Sequence, residues 1–356
     1  MKVVTIVGAR PQFIKAAVIS REIAKHPEIR EVIVHTGQHF DKNMSDIFFE
    51  EMQIPKPHYH LDINSMSHGA MTGRMLEKIE EVLLLELPDF VIVYGDTNST
   101  LAGALAAKKL HMKVIHIEAG LRSFNMSMPE EINRILTDRI SDILCCPTEQ
   151  AVKNLNYEGY SKFTSKVVST GDVMQDAAIF YRKLADSNKS IISKLSLEGK
   201  SFALCTVHRA ENTDDLLRLS EIIEALNEIG SEIEIVFPVH PRTRKIMEEN
   251  KLKLFCKTID PVGYLDMVNL LSHAKIVLTD SGGLQKEAFF FSKPCVTLRD
   301  ETEWVELIEG GFNLLAGAEK ENIVSAFKKM STAAPDYTKD LYGSGKAAGR
   351  IVSLFT

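Results

Sequence analysis

Short runs of β-branched and aliphatic residues recur along the chain, separated by stretches in which apolar positions return every three or four residues. The first kind predicts strands and the second amphipathic helices. Strands are predicted over 2–8, 31–36, 89–94, 113–118 and 143–147. Helices are predicted over 11–25, 41–52, 66–85, 99–110 and 130–140. The pattern then restarts. Strands are predicted over 202–207, 234–238, 275–280 and 295–298, with helices over 214–229, 244–249, 264–273 and 283–291. Continuous apolar strands between helices indicate parallel sheets covered on both faces. Two successive runs of such units predict two doubly wound α/β domains, 1–170 and 171–356, with the break near 169–172. The polar stretch 186–200 falls at the edge of the second. Ligands of such sheets bind beyond the carboxyl ends of the strands. The strand-to-loop junctions, and a cleft between the domains, are therefore where chemistry is expected.

At 356 residues the chain is long for one domain, which agrees with two. Its 45% hydrophobic and 25% charged residues are ordinary globular values. A formal charge of −6 removes a global basic field for nucleic acid and leaves room for a local basic cleft that takes phosphates. The apolar runs fall well short of the ~18–20 residues that span a bilayer, so no membrane partner is expected. Lys2 is followed by Gly8, Arg10 and Lys15, which is not a secretory signal. Cys145, Cys146, Cys205, Cys256 and Cys295 form no C-x-x-C or metal spacing and suit a reducing cytoplasm.

Four constellations stand at predicted strand ends. In Gly8-Ala9-Arg10-Pro11-Gln12-Phe13-Ile14-Lys15, Gly8 permits a tight turn. The helix that follows offers free N–H groups and a positive dipole end, with Arg10 and Lys15 as added cations. This suits an anion or diphosphate; as an alternative, the two cations are simply solvated. Next come carboxylates. Asp96 follows Gly95, Glu118 precedes Ala119-Gly120, and Glu130 and Glu131 follow Pro129. Acids delivered to one sheet edge can move protons. Asp96 equally suits a helix cap, and Glu130 and Glu131 a helix's first turn. Third, His208 and Arg209 leave a buried strand together, where acid–base work or phosphate contact is open to them. His240 ends the next strand in the same way. Fourth, Ser281-Gly282-Gly283 joins a strand directly to a helix, so that backbone N–H groups and the helix dipole can meet a phosphate. Glu287 lies one turn after Gly283, on the same face, where a carboxylate can accept both hydroxyls of a ribose. Arg299 is a further candidate for phosphate or uridine.

With these segments in order, the sequence resembles the non-hydrolysing UDP-N-acetylglucosamine 2-epimerases over essentially its whole length. The resemblance also rests on Gly37-Gln38-His39, Gly95-Asp96-Thr97, His116-Ile117-Glu118-Ala119-Gly120-Leu121-Arg122 and Pro129-Glu130-Glu131-Ile132-Asn133-Arg134. It implies two Rossmann-like domains of the GT-B type, an interdomain active-site cleft, and a last helix, around 346–355, that crosses back to the first domain. It implies UDP binding by Ser281, Gly282, Gly283 and Glu287 and catalytic roles for Asp96, Glu118, Glu130 and His208, with Arg10 and Lys15 as active-site cations. No metal or nicotinamide is required, and homodimers are the usual assembly.

The chain departs from the common pattern at Ala210, where many bacterial members carry a second Arg that helps form a regulatory UDP-GlcNAc site. It departs again at Trp304-Val305, where many carry Arg-Pro, and at Gln12, where a Glu is common. With Phe40 after Gln38-His39, these count against allosteric activation and look more like the branch acting on UDP-2,3-diacetamido uronic acids. The expected reaction is epimerisation of UDP-GlcNAc to UDP-ManNAc, with that diacetamido uronate as the alternative sugar. The C2 proton is not α to a carbonyl, so the feasible route is loss of UDP from C1 to give a glycal, followed by re-addition. Arg10, Lys15, Arg209 and the helix at Ser281 would stabilise the diphosphate. A glycosyltransferase shares such a nucleotide site, but no acceptor groove is legible. A hydrolysing epimerase differs only in admitting water. A pure binding module would not need three acids and a His at strand ends. The absence of G-x-G-x-x-G disfavours a redox enzyme.

Overall fold

The computed structural model describes residues 1–38, 49–50, 52–186 and 190–356. Most of the helix predicted over 41–52, together with His39 and Phe40, lies outside them, as do residues 187–189 of the polar stretch. The chain forms two compact units, Met1–Ala177 with Asp340–Thr356, and Ala178–Lys339.

In the first unit the strands are β1 (Lys2–Val7), β2 (Arg30–His35), β3 (Tyr59–His60), β4 (Phe90–Tyr94), β5 (Lys113–Ile117), β6 (Ile143–Cys146) and β7 (Lys166–Ser169). The helices are α1 (Arg10–Ile23), α2 (His68–Glu86), α3 (Asn98–Lys109), α4 (Pro129–Ile140), α5 (Glu149–Tyr157) and α6 (Val173–Asp186), the last running on into the second unit. Among the described residues the sheet has seven strands in the order β3-β2-β1-β4-β5-β6-β7, with parallel pairings.

The second unit contains α7 (Ser190–Lys194), β8 (Phe202–Thr206), α8 (Ala210–Thr213), α9 (Leu216–Ile229), β9 (Glu234–Pro238), α10 (Pro241–Glu249), β10 (Lys257–Ile259) and α11 (Tyr264–His273). These are followed by β11 (Ile276–Thr279), α12 (Gly282–Phe290), β12 (Cys295–Thr297), α13 (Val305–Glu309), β13 (Asn313–Leu315) and α14 (Lys320–Thr332). Its parallel sheet runs β10-β9-β8-β11-β12-β13. The predicted α/β, GT-B-like class is therefore observed. In each sheet the order reverses once, between β1 and β4 and between β8 and β11, and there the crossovers diverge.

The strands read as unbroken apolar runs because helices cover both their faces. Val4, Ile6, Val32, Val34, Val91 and Val93 are fully buried against α2 and α3, each worth roughly 1.5–3 kcal/mol of transfer free energy. The small residues of α3 let it lie close to the sheet. A Cβ at Gly103 would stand 2.8 Å from Ile6 Cδ1.

Local chemistry moved some predicted boundaries. The helix predicted over 214–229 starts at Leu216, because Asp215 caps α9 by accepting from Leu217 N at 2.9 Å and Arg218 N at 3.2 Å, and the short turn α8 precedes it. The helix predicted from 244 starts at Pro241, because His240 caps it. Strands β3, β7, β10 and β13, of two to four residues, were not predicted. They are too short to show a period.

The chain returns to the first unit through Tyr342, which is fully buried and accepts from Asp172 N at 2.8 Å. The backbones approach so closely at Gly171 that a Cβ there would sit 2.6 Å from Tyr342 O. The last helix, α15 (Ala347–Val352), is capped by Asp176 of α6, which accepts from Ala347 N at 3.1 Å and Ala348 N at 3.0 Å. Replacing Asp176 with Ala should cost about 1 kcal/mol and speed amide hydrogen exchange in 347–352 selectively. Unchanged exchange there would mean that the cap does not hold the helix.

Candidate active site

The first unit's site grows from three turns at the carboxyl ends of β1, β4 and β5. A Cβ at Gly8 would meet Ser99 Oγ at 2.1 Å and Thr36 Oγ1 at 2.3 Å, so no larger residue fits where the chain enters α1. Gln12 holds this turn. Its Oε1 accepts from Gly8 N at 2.8 Å and Ala9 N at 3.1 Å, and its Nε2 donates to Tyr94 O at 2.7 Å and to Thr97 Oγ1 and Thr100 Oγ1 at 3.0 Å. The β1 turn is thereby bound to the β4 turn by one buried amide.

Gly95 takes a left-handed φ of +62° and turns the chain so that Asp96 leaves the sheet edge. Asp96 is not the helix cap; Thr97 is, its Oγ1 accepting from Thr100 N at 3.3 Å. The Asp96 carboxylate instead accepts from Arg134 Nη2 at 2.6 Å and Nε at 3.0 Å, and Asn133 Nδ2 donates to its backbone oxygen at 2.8 Å. Burial pushes the Asp96 carboxyl above its ordinary range; Arg134 opposes this, Glu118 adds to it, and Lys15 opposes it.

Glu118 also has a left-handed φ, +72°, a conformation a non-glycine residue holds at a cost. Its amide and that of Ala119 both donate to Cys145 O at 3.1 Å. Its side chain forms an ion pair with Lys15. A Cβ built on Gly95 would lie 3.2 Å from Glu118 Oε2 and 3.7 Å from Lys15 Nζ, so the pair packs against the turn that carries Asp96.

The two acids that open α4 separate in role. Glu131 is buried and accepts from Ser123 N at 3.0 Å, Phe124 N at 2.9 Å and Arg134 Nη1 at 2.7 Å. Burial pushes its carboxyl up, but these three donors outweigh that and hold it below the usual range. Glu130 is exposed on the wall of a cavity of about 260 Å³ that Lys15, Gln38, His68 and Asp96 also line. Arg10 opens α1 beside these groups in sequence. Sequence reasoning did not nominate Arg134, Gln12 or Gln38 for the site. The Asn133-Arg134 pair one turn after Pro129 was the available signal for the first.

In the second unit the turns after β8 and β11 are organised by Asp280, which is fully buried. It accepts from His208 N at 2.9 Å, Arg209 N at 2.9 Å and Asn212 Nδ2 at 3.3 Å. His208 Nδ1 lies 3.4 Å from Asp280 Oδ1, and its ring centroid is 6.3 Å from that of His240. Burial pushes the His208 ring toward its neutral form, Asp280 pulls the other way, and Arg209 and His240 add to the downward push. His240 accepts from Arg242 N at 3.3 Å as the cap of α10.

Ser281 caps α12, accepting from Leu284 N at 3.4 Å. A Cβ at Gly282 would sit 2.4 Å from Glu303 Oε1 and 3.6 Å from Arg209 Nη2, and one at Gly283 would have Ser281 Oγ at 3.9 Å as its nearest neighbour. Glu287 accepts from Tyr264 Oη at 3.0 Å. Arg299 is buried between Glu211, 3.2 Å from its Nε, and Glu303, 3.0 Å from its Nη1. It thus meets the Gly282 turn through Glu303. Burial raises the Glu303 carboxyl, while Arg299, its own backbone amide and Arg209 together hold it lower. Among the described residues, no three His, Cys, Asp or Glu side chains converge to hold a metal, and no helix is long and apolar enough to cross a membrane.

Two parallel-sheet units, one carrying paired carboxylates and the other a Ser-Gly-Gly helix start, define a protein of the doubly wound α/β class with polar sites at its strand ends. A family profile described as UDP-N-acetylglucosamine 2-epimerase matches residues 21–356. The UDP-2,3-diacetamido-2,3-dideoxy-D-glucuronate 2-epimerase of Pseudomonas aeruginosa is 58% identical over 352 residues, covering 99% of this chain and 98% of that protein. The crystal structure of Methanocaldococcus jannaschii UDP-GlcNAc 2-epimerase in complex with UDP-GlcNAc and UDP is 45% identical, with a TM-score of 0.88 over 99% of both chains. That of the Neisseria meningitidis enzyme bound to UDP-GlcNAc is 33% identical, with a TM-score of 0.87 over 99% of both. The chain belongs to the UDP-N-acetylglucosamine 2-epimerase family and is an epimerase.

Arg134→Met should expose the role of Asp96. It removes a cation that draws this carboxyl down and leaves burial and Glu118 pushing it up. The acid limb of the kcat/KM–pH profile should move to higher pH, and turnover should fall by up to about a hundredfold as the carboxylate loses its anchor. A limb that stays in place would remove Asp96 as the titrating group.

Proposed function

We propose that this epimerase inverts C2 of a UDP-linked 2-acetamido sugar, and that its sugar is 2,3-diacetamido-2,3-dideoxy-glucuronate ahead of N-acetylglucosamine. The reaction rests on one observation above others: Asp96 and Glu118, on adjacent strand ends, each hold a cationic partner, Arg134 and Lys15. Carboxylates set in this way can take a proton from carbon and return one. The choice of sugar rests on the 58% identity to an enzyme of that name, and on Ala210 and Trp304-Val305.

In the proposed reaction a carboxylate removes the C2 proton as the bond from C1 to the UDP oxygen breaks. The electron pair of the C–H bond becomes the C1–C2 double bond of a glycal, and UDP leaves with the pair of the C–O bond. A proton then adds to the other face of C2, and UDP oxygen bonds again to C1. Asp96, Glu118 and Glu130 form the acid–base set. His208, Arg209 and the start of α12 hold the diphosphate, and Glu287 meets the ribose. Arg10 and Lys15 stabilise developing negative charge. The Lys15–Glu118 pair aims that carboxylate, as a base requires.

Proton NMR in deuterated water tests the reading. With UDP-2,3-diacetamido-glucuronate the C2 epimer should accumulate and carry deuterium at C2, faster than with UDP-GlcNAc. Faster turnover of UDP-GlcNAc would reverse the choice of sugar, and silence with both would remove the reading. Glu118→Gln should lower C2 deuterium uptake by at least about a hundredfold and leave UDP binding within about twofold. Exchange at the normal rate would remove Glu118 as an essential group.

A further inference from the structure

Behind the two carboxylate-bearing turns lies a buried chain of polar groups that performs none of the chemistry above. His116 is on β5, two residues before Glu118, and its side chain is fully buried. Its Nε2 is 2.7 Å from the carbonyl oxygen of Gly95, and its Nδ1 is 2.7 Å from Asp138 Oδ1 on α4. The other oxygen of Asp138 accepts from Gly120 N at 3.1 Å and from Arg122 Nη1 at 2.7 Å. Arg122 in turn donates through Nε to Glu158 Oε1 at 2.6 Å and through Nη2 to Glu158 Oε2 at 2.8 Å.

A carbonyl oxygen can only accept, so Nε2 carries a proton. One further proton is shared between Nδ1 and Asp138. The result is a continuous row of hydrogen-bonded groups, His116, Asp138, Arg122 and Glu158, buried as far as Arg122 and ending at exposed Glu158.

This row meets the backbone of the two carboxylate-bearing turns at two points, through His116 and through Asp138. Gly95 O belongs to the peptide that leads into Asp96. Gly120 N lies two residues after Glu118. Gly95, Glu118 and Gly120 all hold left-handed φ angles, +62°, +72° and +79°. Such turns stay in place where their surroundings over-determine them.

We propose that His116, held by Asp138, is a positioning residue that fixes the Asp96 turn and the Glu118 turn relative to each other. The proposal rests on the assignment of Asp96 and Glu118 to proton transfer. It assigns the motif His116-Ile117-Glu118 two jobs on one strand: Glu118 faces the sugar, and His116 holds the neighbouring strand end. The consequence is a loss of rate without a loss of nucleotide binding, because His208, Arg209, the start of α12 and Glu287, the groups proposed to hold the diphosphate and ribose, lie in the other unit.

The test combines a spectrum with two variants. In wild-type protein carrying 15N-histidine, Nε2 of His116 should show a bonded proton, as its contact with Gly95 O requires. A bare Nε2 would overturn the bond to the Asp96 turn. His116→Phe should lower kcat by about a hundredfold, with KM and UDP affinity within about threefold. His116→Gln, which keeps a donor for Gly95 O, should recover part of that loss. Wild-type kcat in both variants, or equal loss of kcat and UDP affinity, would overturn the positioning role. A wild type that turns over neither sugar would remove the function proposed above, and the spectrum would still decide the state of the ring.

Discussion

Parallel strands need crossovers, and where successive crossovers leave a sheet in opposite directions the space above the strand ends cannot be closed by a connecting helix. In this protein that happens between β1 and β4 and between β8 and β11. The rest follows from that opening. The residues beside it must end a buried strand, turn sharply and present polar groups, which is why glycines cluster there. Gly8 is required by the side chains of Ser99 and Thr36, Gly95 by its positive φ, and Gly282 by Glu303. Helix starts face the same openings, and their free N–H groups make these the electropositive places of otherwise apolar units.

Electrostatics within the openings differs between the units. In the first, each of two carboxylates is matched by a cation, and burial works against the ionised form of Asp96. In the second, one fully buried carboxylate, Asp280, is spent on the backbone of His208 and Arg209. The Arg209 cation is thus presented by an anion beneath it. That suits a site that must receive a negatively charged group and release it again, since the fixed charges nearly balance before anything arrives.

Much of this was legible in the sequence, because buried parallel strands announce themselves by composition and their ends by glycine. The α/β class, most strands, and the turns bearing Asp96, Glu118, His208 and Ser281 could be read directly. What could not be read depends on distance in three dimensions. Gln12 looked like a departure from a common pattern, whereas it joins two turns more than eighty residues apart in sequence. Arg134 and Asp138 lie on α4, and their partners lie on other strand ends. Among Glu130 and Glu131, spacing alone could not tell which is buried. His240, read as a candidate ligand, also caps α10, and its place at a strand end satisfies both patterns.

The way the first unit is completed has a consequence for synthesis. Its residues 1–177 are joined by 340–356, while the second unit is one continuous stretch, 178–339. During translation the second unit can assemble as soon as it emerges, but the first must wait for α15 to reach Asp176 and for Tyr342 to reach Asp172. Until then α1 lacks the helix that covers it, and its apolar face is open to chaperones. The first unit is thus closed by residues that are made only after the whole stretch of the second has been synthesised.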